Sequence, residues 1–146
     1  MTKEEIQALY KAHILPENKH PYHFEAKEGT SVSFDAYNPM CGDKFHLYLN
    51  VVNDVFDTVH FDGIGCAISK ASTSMLLKKI EGMSKIDAKA ICEKFINNLT
   101  NDHQVDEFND ELNTLIALKH FDGRIDCIKL AWEALLNYLL VKDLEG

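Results

Sequence analysis

The chain predicts an α+β fold, a three-stranded antiparallel sheet with helices packed on one face. Three observations carry that prediction. Residues 32–61 alternate apolar and polar side chains with period two, the spacing of strands. From Cys66 onward the apolar residues recur at helical spacing instead. Turn formers such as Asn53-Asp54 and Gly82 punctuate the runs at intervals suited to short elements.

Taken in order, Ile6, Leu9, Tyr10 and His13 mark an amphipathic first helix over 4–14. Pro16 and Pro21 are expected to break it, leaving an irregular, mobile arm over 18–30 that ends at Gly29. Val32, Phe34 and Ala36 share one face of a first strand, and Phe45, Leu47, Leu49 and Val51 one face of a second. In the third, Val55, Asp57, Val59 and Phe61 alternate with Phe56, Thr58 and His60. Asn53 and Asp54 both tolerate positive φ and predict a tight hairpin. Ile64, Ile68, Ala71 and Met75 line the next helix, which Gly82 ends. Ser84 and Asp87 start another in the manner of a capping box, with Ala88, Ile91, Cys92, Phe95 and Leu99 inward. After a loop at 101–104, Val105, Phe108, Leu112, Leu115 and Ile116 form a further stripe, broken at Asp122-Gly123. Ile128, Ala131, Trp132, Leu135 and Leu139 make the last helix, with Cys127 in its first turn.

Nothing divides the chain, so 1–146 is expected to be a single domain, long enough for its own core. No apolar run reaches membrane-span length. The start, Met1-Thr2-Lys3-Glu4-Glu5, is polar and acidic, unlike a signal or transit peptide, and predicts a cytoplasmic protein. Structural disulfides are rare there, so the four cysteines read as metal ligands, reactive thiols or core residues. A net charge of −8 without a basic cluster speaks against nucleic acid and fits a protein partner better.

Three cysteines lie where turns meet regular elements. Cys41 and Asp43 sit in Asn38-Pro39-Met40-Cys41-Gly42-Asp43, Cys66 follows Gly63 and Gly65, and Cys127 opens the last helix. Three thiolates and a carboxylate complete a tetrahedral zinc set. The set is dispersed and contains a carboxylate, which suits a working centre more than a folding staple. Four negative ligands on a divalent ion make a poor activator of water. They are better suited to holding a thiolate quiet until a ligand exchanges. Helix N-termini at Cys66 and Cys127 are expected to lower both thiol pKa values. Cys92 lies on an apolar stripe and reads as core. His46 and His60 alternate off the apolar strand face and read as solvent-facing, and Arg124 reads as a solvated residue before a helix.

These motifs resemble the IscU/SufU iron–sulfur cluster assembly family. Asn38 to Asp43 and Phe61 to Met75 carry the likeness, which runs from about Leu9 to the last helix. Within the family the chain resembles the SufU branch. Asp126 stands where IscU scaffolds have a histidine, and Lys119-His120-Phe121-Asp122-Gly123 replaces the Leu-Pro-Pro-Val-Lys chaperone motif. The Cys66-to-Cys127 stretch is long, as in SufU, and Arg124-Ile125-Asp126-Cys127 is similar to its Arg-x-x-Cys. The usual Asn-Pro-Arg-Asn near the N-terminus reads His20-Pro21-Tyr22-His23 here, so the arm that meets partners is expected to differ.

The resemblance implies zinc held by Cys41, Asp43, Cys66 and Cys127, Cys41 as sulfur acceptor, and Arg124 as a helper in docking. It implies a PLP-dependent cysteine desulfurase of the SufS type as partner. A desulfurase histidine would displace one cysteine from the zinc, and the sulfur would pass on to SufBCD. Two alternatives stand beside it: a scaffold that builds a [2Fe–2S] cluster on the same residues, and a non-catalytic, zinc-stabilised adaptor of the desulfurase.

Overall fold

Period-two alternation puts Phe45, Leu47 and Leu49 on one side of a strand, and all three are fully buried. The computed structural model describes residues 2–101, 107–120 and 124–145, with side chains of the final helix described to Val141. Strands β1 (Val32–Asn38), β2 (Asp43–Val52) and β3 (Val55–Ile64) form one antiparallel sheet in the order β1-β2-β3. Asn53 and Asp54 make the expected hairpin, with φ of 51° and 61°. A bulge changes the third strand's pattern. Asn50 pairs with Thr58 and Val51 with Phe56, so Asp57 is the extra residue. Phe56, not Asp57, therefore joins Val59 and Phe61 in the core.

The N-terminal helix runs further than its prolines suggest. Helix α1 (Lys3–Leu9) passes through a π turn (Tyr10–Ile14) into α2 (Leu15–Lys19). Thr2 caps the start, accepting from the Glu5 N–H at 3.1 Å. The Leu15 N–H reaches back five residues to the Tyr10 carbonyl. Widening the helix there lets Pro16, which lacks an N–H and would crowd the preceding turn, begin α2 instead of ending the helix. Ile14, absent from the predicted stripe, is fully buried.

The following arm is irregular, as expected, but tied down rather than loose. The Tyr22 N–H donates to Ser74 Oγ at 2.7 Å, and the Phe61 N–H donates to the His23 carbonyl at 3.2 Å. Phe24 meets Phe61 edge-on, ring centres 5.0 Å apart. The arm thus borders the free edge of β3.

Helix α3 (Ala67–Ile80) is buried on most sides, and its hydroxyls are satisfied internally. Ser72 donates to the Ile128 carbonyl at 2.6 Å and accepts from the Trp132 indole at 3.0 Å, joining α3 to α6 (Arg124–Glu145). Gly82, with φ of 86°, follows the end of α3, and Ser84 caps α4 (Lys85–Thr100) through the Asp87 N–H at 3.1 Å. Ala88, Cys92, Phe95 and Leu99 are buried on α4, with Phe95 stacked on Trp132.

Helix α5 (Asp110–Ala117) begins later than its apolar stripe implied, because the Asn109 side chain caps it. Phe108 precedes that helix yet still packs on Phe95, and a 3₁₀ turn (Leu118–His120) follows α5. The expected loop at 102–104, Val105 and the break at Asp122-Gly123 lie outside the described residues. Ile64 was expected on the stripe of α3 but ends β3 at 81% exposure. Helices α3 and α6 cover the apolar face of the sheet, so the α+β expectation holds.

Candidate metal centre

Three separate segments bring four residues together. Cys41 rides the turn between β1 and β2. There the Asn38 carbonyl accepts from the Gly42 N–H at 2.8 Å, and the Asn38 side chain accepts from the Met40 N–H at 3.0 Å. Gly42 takes φ of 77°, a conformation that lets Cys41 and Asp43 turn toward one point. Asp43 opens β2 opposite Asn38 and is only 5% exposed. Cys66 is the N-cap of α3, its sulfur accepting from the Ser69 N–H at 3.4 Å. Gly65 before it serves close packing rather than a sharp turn. A Cβ there would lie 2.4 Å from the Phe45 ring and 2.6 Å from Ser69 Oγ. Cys127 sits in the first turn of α6, buried.

Ligand atoms of Cys41, Asp43 and Cys127 all lie within 4.8 Å of one another. Cys66 stands outside that trio but adjoins it: its backbone N–H donates to Asp43 Oδ1 at 3.2 Å. Asp43 Oδ2 is buried with no hydrogen-bond partner among the described residues. A buried, unpaired carboxylate oxygen is costly, and a cation would relieve that cost.

The thiols do not all behave as the helix argument predicted. Burial pushes the Cys127 thiol up to about 12, reinforced by Cys66, Asp43 and Cys41 around it. Desolvation and like charge therefore outweigh the helix N-terminus at Cys127. Four such groups cannot all be negative in so small a space without a cation, so metal binding would expel protons. An S₃O donor set of this kind fits a divalent, borderline-soft ion such as zinc.

Other predicted residues fall elsewhere. Cys92 is fully buried in the core, and burial raises its thiol to about 12, an inert packing cysteine. His46 faces outward and pairs with Asp35. His60 is not solvent-facing. The arm covers it, leaving its side chain 12% exposed and stacked on His23 at 5.0 Å, and burial lowers its pKa. Asp126 is exposed and pairs with Lys129 at 3.7 Å. Arg124 is exposed and lines a groove of about 730 Å³ together with Cys66. Ser69 escaped the sequence reading, although a side chain three residues after a helix-starting cysteine is where a cap partner would stand.

Residues 9–139 match the family of the NifU-like N terminal domain. The chain belongs to that family. Among its members, the chain is 30% identical to the "Zinc-dependent sulfurtransferase SufU" of Bacillus subtilis over 132 residues, covering 89% of this chain and 88% of that one. It is 31% identical to the "Iron-sulfur cluster assembly scaffold protein IscU" of Streptococcus pyogenes over 136 residues, covering 92% and 85%. A crystal structure described as a putative iron–sulfur cluster assembly scaffold for the SUF system, from Fervidobacterium islandicum, superposes with a TM-score of 0.78 at 27% identity, covering 91% and 98%. A NifU-like N-terminal domain from Brucella abortus shares the fold at 15% identity and a TM-score of 0.82, covering 97% and 99%. The chain thus has the IscU/SufU kinship that its motifs suggested.

Proposed function

We propose that this protein works in iron–sulfur cluster assembly as a zinc-dependent sulfur acceptor, served by a SufS-type cysteine desulfurase and passing sulfur to SufBCD-type machinery. The observation that carries the proposal is one cluster holding an exposed cysteine, Cys41, beside a buried aspartate whose second oxygen lacks a partner. Kinship with a relative named a zinc-dependent sulfurtransferase supports it. So does Asp126, exposed and paired with Lys129, at the position where the resemblance places a histidine in IscU scaffolds.

A zinc ion on Cys41, Asp43, Cys66 and Cys127 would hold the thiolates ready without redox chemistry of its own. Cys41 is the nucleophile, because it alone among the four is exposed and it sits on a turn rather than at a helix start. Its thiolate attacks the outer sulfur of the desulfurase persulfide. The bond between the two persulfide sulfurs breaks, a new sulfur–sulfur bond forms on Cys41, and the desulfurase cysteine leaves as thiolate. The proton stays on the transferred sulfur. Cys66 and Cys127 remain on their helices, and exposed Arg124 offers a cation to the docking desulfurase. Such chemistry belongs in a reducing compartment, the cytoplasm.

The test is purified protein incubated with a SufS-type desulfurase, PLP and free cysteine, read by metal analysis and non-reducing mass spectrometry. One zinc per chain and added sulfur on Cys41 are expected, with Cys41→Ala abolishing both the added sulfur and the stimulation of the desulfurase. A brown protein carrying iron and sulfide would favour the scaffold reading. Undiminished stimulation by folded Cys41→Ala would favour the adaptor.

A further inference from the structure

The sheet has two edges, and the fold treats them differently. On β3 the Phe56, Val59 and Phe61 N–H groups donate outward, to the Met83 carbonyl, Glu81 Oε2 and the His23 carbonyl, at 3.0, 3.1 and 3.2 Å. On β1, among the described residues, nothing outside the sheet hydrogen-bonds to the backbone of residues 33–37. A bare edge is a template for another strand, and β1 carries neither the proline nor the bulge that would blunt it. A groove of about 570 Å³ runs along that edge, lined by all four residues from Phe34 to Tyr37. Successive strand side chains point to opposite faces, so a groove that touches four in a row follows the edge itself. Helix α6 makes the other wall. Its Leu130, Ala134, Tyr138 and Val141 form an apolar stripe separate from the buried one of Ile128, Ala131, Leu135 and Leu139. Val141 is 51% exposed, and Tyr138 stacks on Phe34 of β1, ring centres 5.6 Å apart. Among the described residues, the charged side chains that line the groove are Asp35 and Glu133, both acidic. Lys44, His46 and Lys129, which pair with them, stand outside the lining.

We infer that β1 takes up an extended, basic segment of another protein as a fourth strand, antiparallel to itself. The open backbone supplies the hydrogen bonds, and alternate apolar side chains of the segment enter between β1 and the second stripe of α6. Lysine or arginine on the segment meets Asp35 and Glu133, which selects a basic partner over an acidic one. A second copy fits worse. Pairing β1 with itself about its centre would set Asp35 against Asp35, in chains that each carry a net charge of −8.

The inference does not rest on zinc or on sulfur transfer, and its failure would leave both standing. Nitrogen-15-labelled, zinc-loaded protein is titrated with three capped seven-residue peptides and followed by NMR. The first alternates lysine and valine, and the second alternates glutamate and valine. The third is the lysine–valine peptide N-methylated at its three central residues, so that neither of its edges can donate. The first should give saturable shifts at the amides of residues 33–38 and 130–141 and slow the hydrogen exchange of the outward β1 amides. The second should bind more weakly, and the third should not saturate. Glu133→Lys should weaken the first peptide about 5-fold, the upper end for an exposed ion pair, with zinc content and Tm unchanged. Absence of any saturable shift would overturn the inference. Equal binding of the N-methylated peptide would overturn strand addition. Equal binding of the glutamate peptide, or indifference to Glu133→Lys, would overturn the basic character of the partner. Concentration-dependent broadening of the same amides without peptide, together with a dimer in sedimentation, would mean that a second copy covers the edge, and would overturn the choice of occupant.

Discussion

Asp43 offers the sharpest test of the centre. Asp43→Ala removes two things at once. It takes away the acceptor of the Cys66 N–H, bonded at 3.2 Å, and it takes away the buried oxygen without a partner. In metal-free protein these changes oppose each other. An orphaned, part-buried N–H costs about 1–3 kcal/mol, while losing an unsatisfied carboxylate among thiols returns a similar amount. Metal-free Asp43→Ala should therefore lie within about 1 kcal/mol of metal-free wild type. Zinc-loaded protein behaves differently. A loss of affinity of about 100-fold removes about 2.7 kcal/mol of ligand-linked stability. At this chain length that is a fall in Tm of about 8–11 °C. The assay is differential scanning calorimetry with and without chelator, paired with zinc competition against a chromophoric chelator. Asp43→Asn serves as control, because it keeps an acceptor for Cys66 but not the charge. It should match metal-free wild type and fail to restore zinc affinity. Unchanged zinc retention and Tm in Asp43→Ala would refute the ligand role and leave Asp43 as a turn residue.

Cys92→Ala should cost about 1–2 kcal/mol in denaturant unfolding and leave zinc content and transfer intact, because Cys92 only packs. Gly65→Ala should destabilise by about 1–3 kcal/mol and lower zinc content, since the added methyl would meet the Phe45 ring at 2.4 Å and displace the Cys66 cap. Metal-free protein should lose stability on the alkaline side. The folded Cys127 thiol holds its proton to about 12 against an ordinary 9.0, so the folded state binds more protons between those values and stability falls as pH rises through them. Denaturant midpoints near neutrality and in alkaline buffer, with and without zinc, measure this, and a metal-free midpoint that climbs with pH would contradict the sign.

Strand alternation was legible because one face of the sheet is covered and the other is not, and the hairpin at Asn53-Asp54 because few residues accept positive φ twice in succession. The last helix was legible in its inward stripe, with Ile128, Ala131, Trp132, Leu135 and Leu139 all buried. What failed was each feature that residue type and periodicity do not encode. Pro16 reads as a breaker until the π turn is seen to absorb it. Asp57 looks inward until a bulge shifts the register. His60 looks exposed until the arm is found tied across it. At the centre, the identities of Cys41, Asp43, Cys66 and Cys127 came from motif. Their convergence, and the burial that keeps Cys127 protonated, arise from packing that spacing does not encode.

Packing also divides the centre into a fixed half and a movable half. Cys66 caps α3 and Cys127 rides α6, and these helices are joined near the cluster by the buried Ser72, which bonds both the Ile128 carbonyl and the Trp132 indole. Ile128 directly follows Cys127, so the hydrogen bond fixes the backbone beside one ligand to the helix that carries another. Buried bonds of this sort are costly to leave unmade, which holds the pair in register. Cys41 has no such tether. Its turn is held by two bonds through Asn38, Met40 beside it is 92% exposed, and nothing lies within 4 Å of a Cβ built at Gly42. On the proposed sulfur transfer, a thiolate that leaves the centre, meets a partner's persulfide and returns would need both properties together: a rigid seat to come back to, and a hinge that opens at small cost. Asp43, buried at the start of β2 and bonded to the Cys66 backbone, is the joint between the two halves.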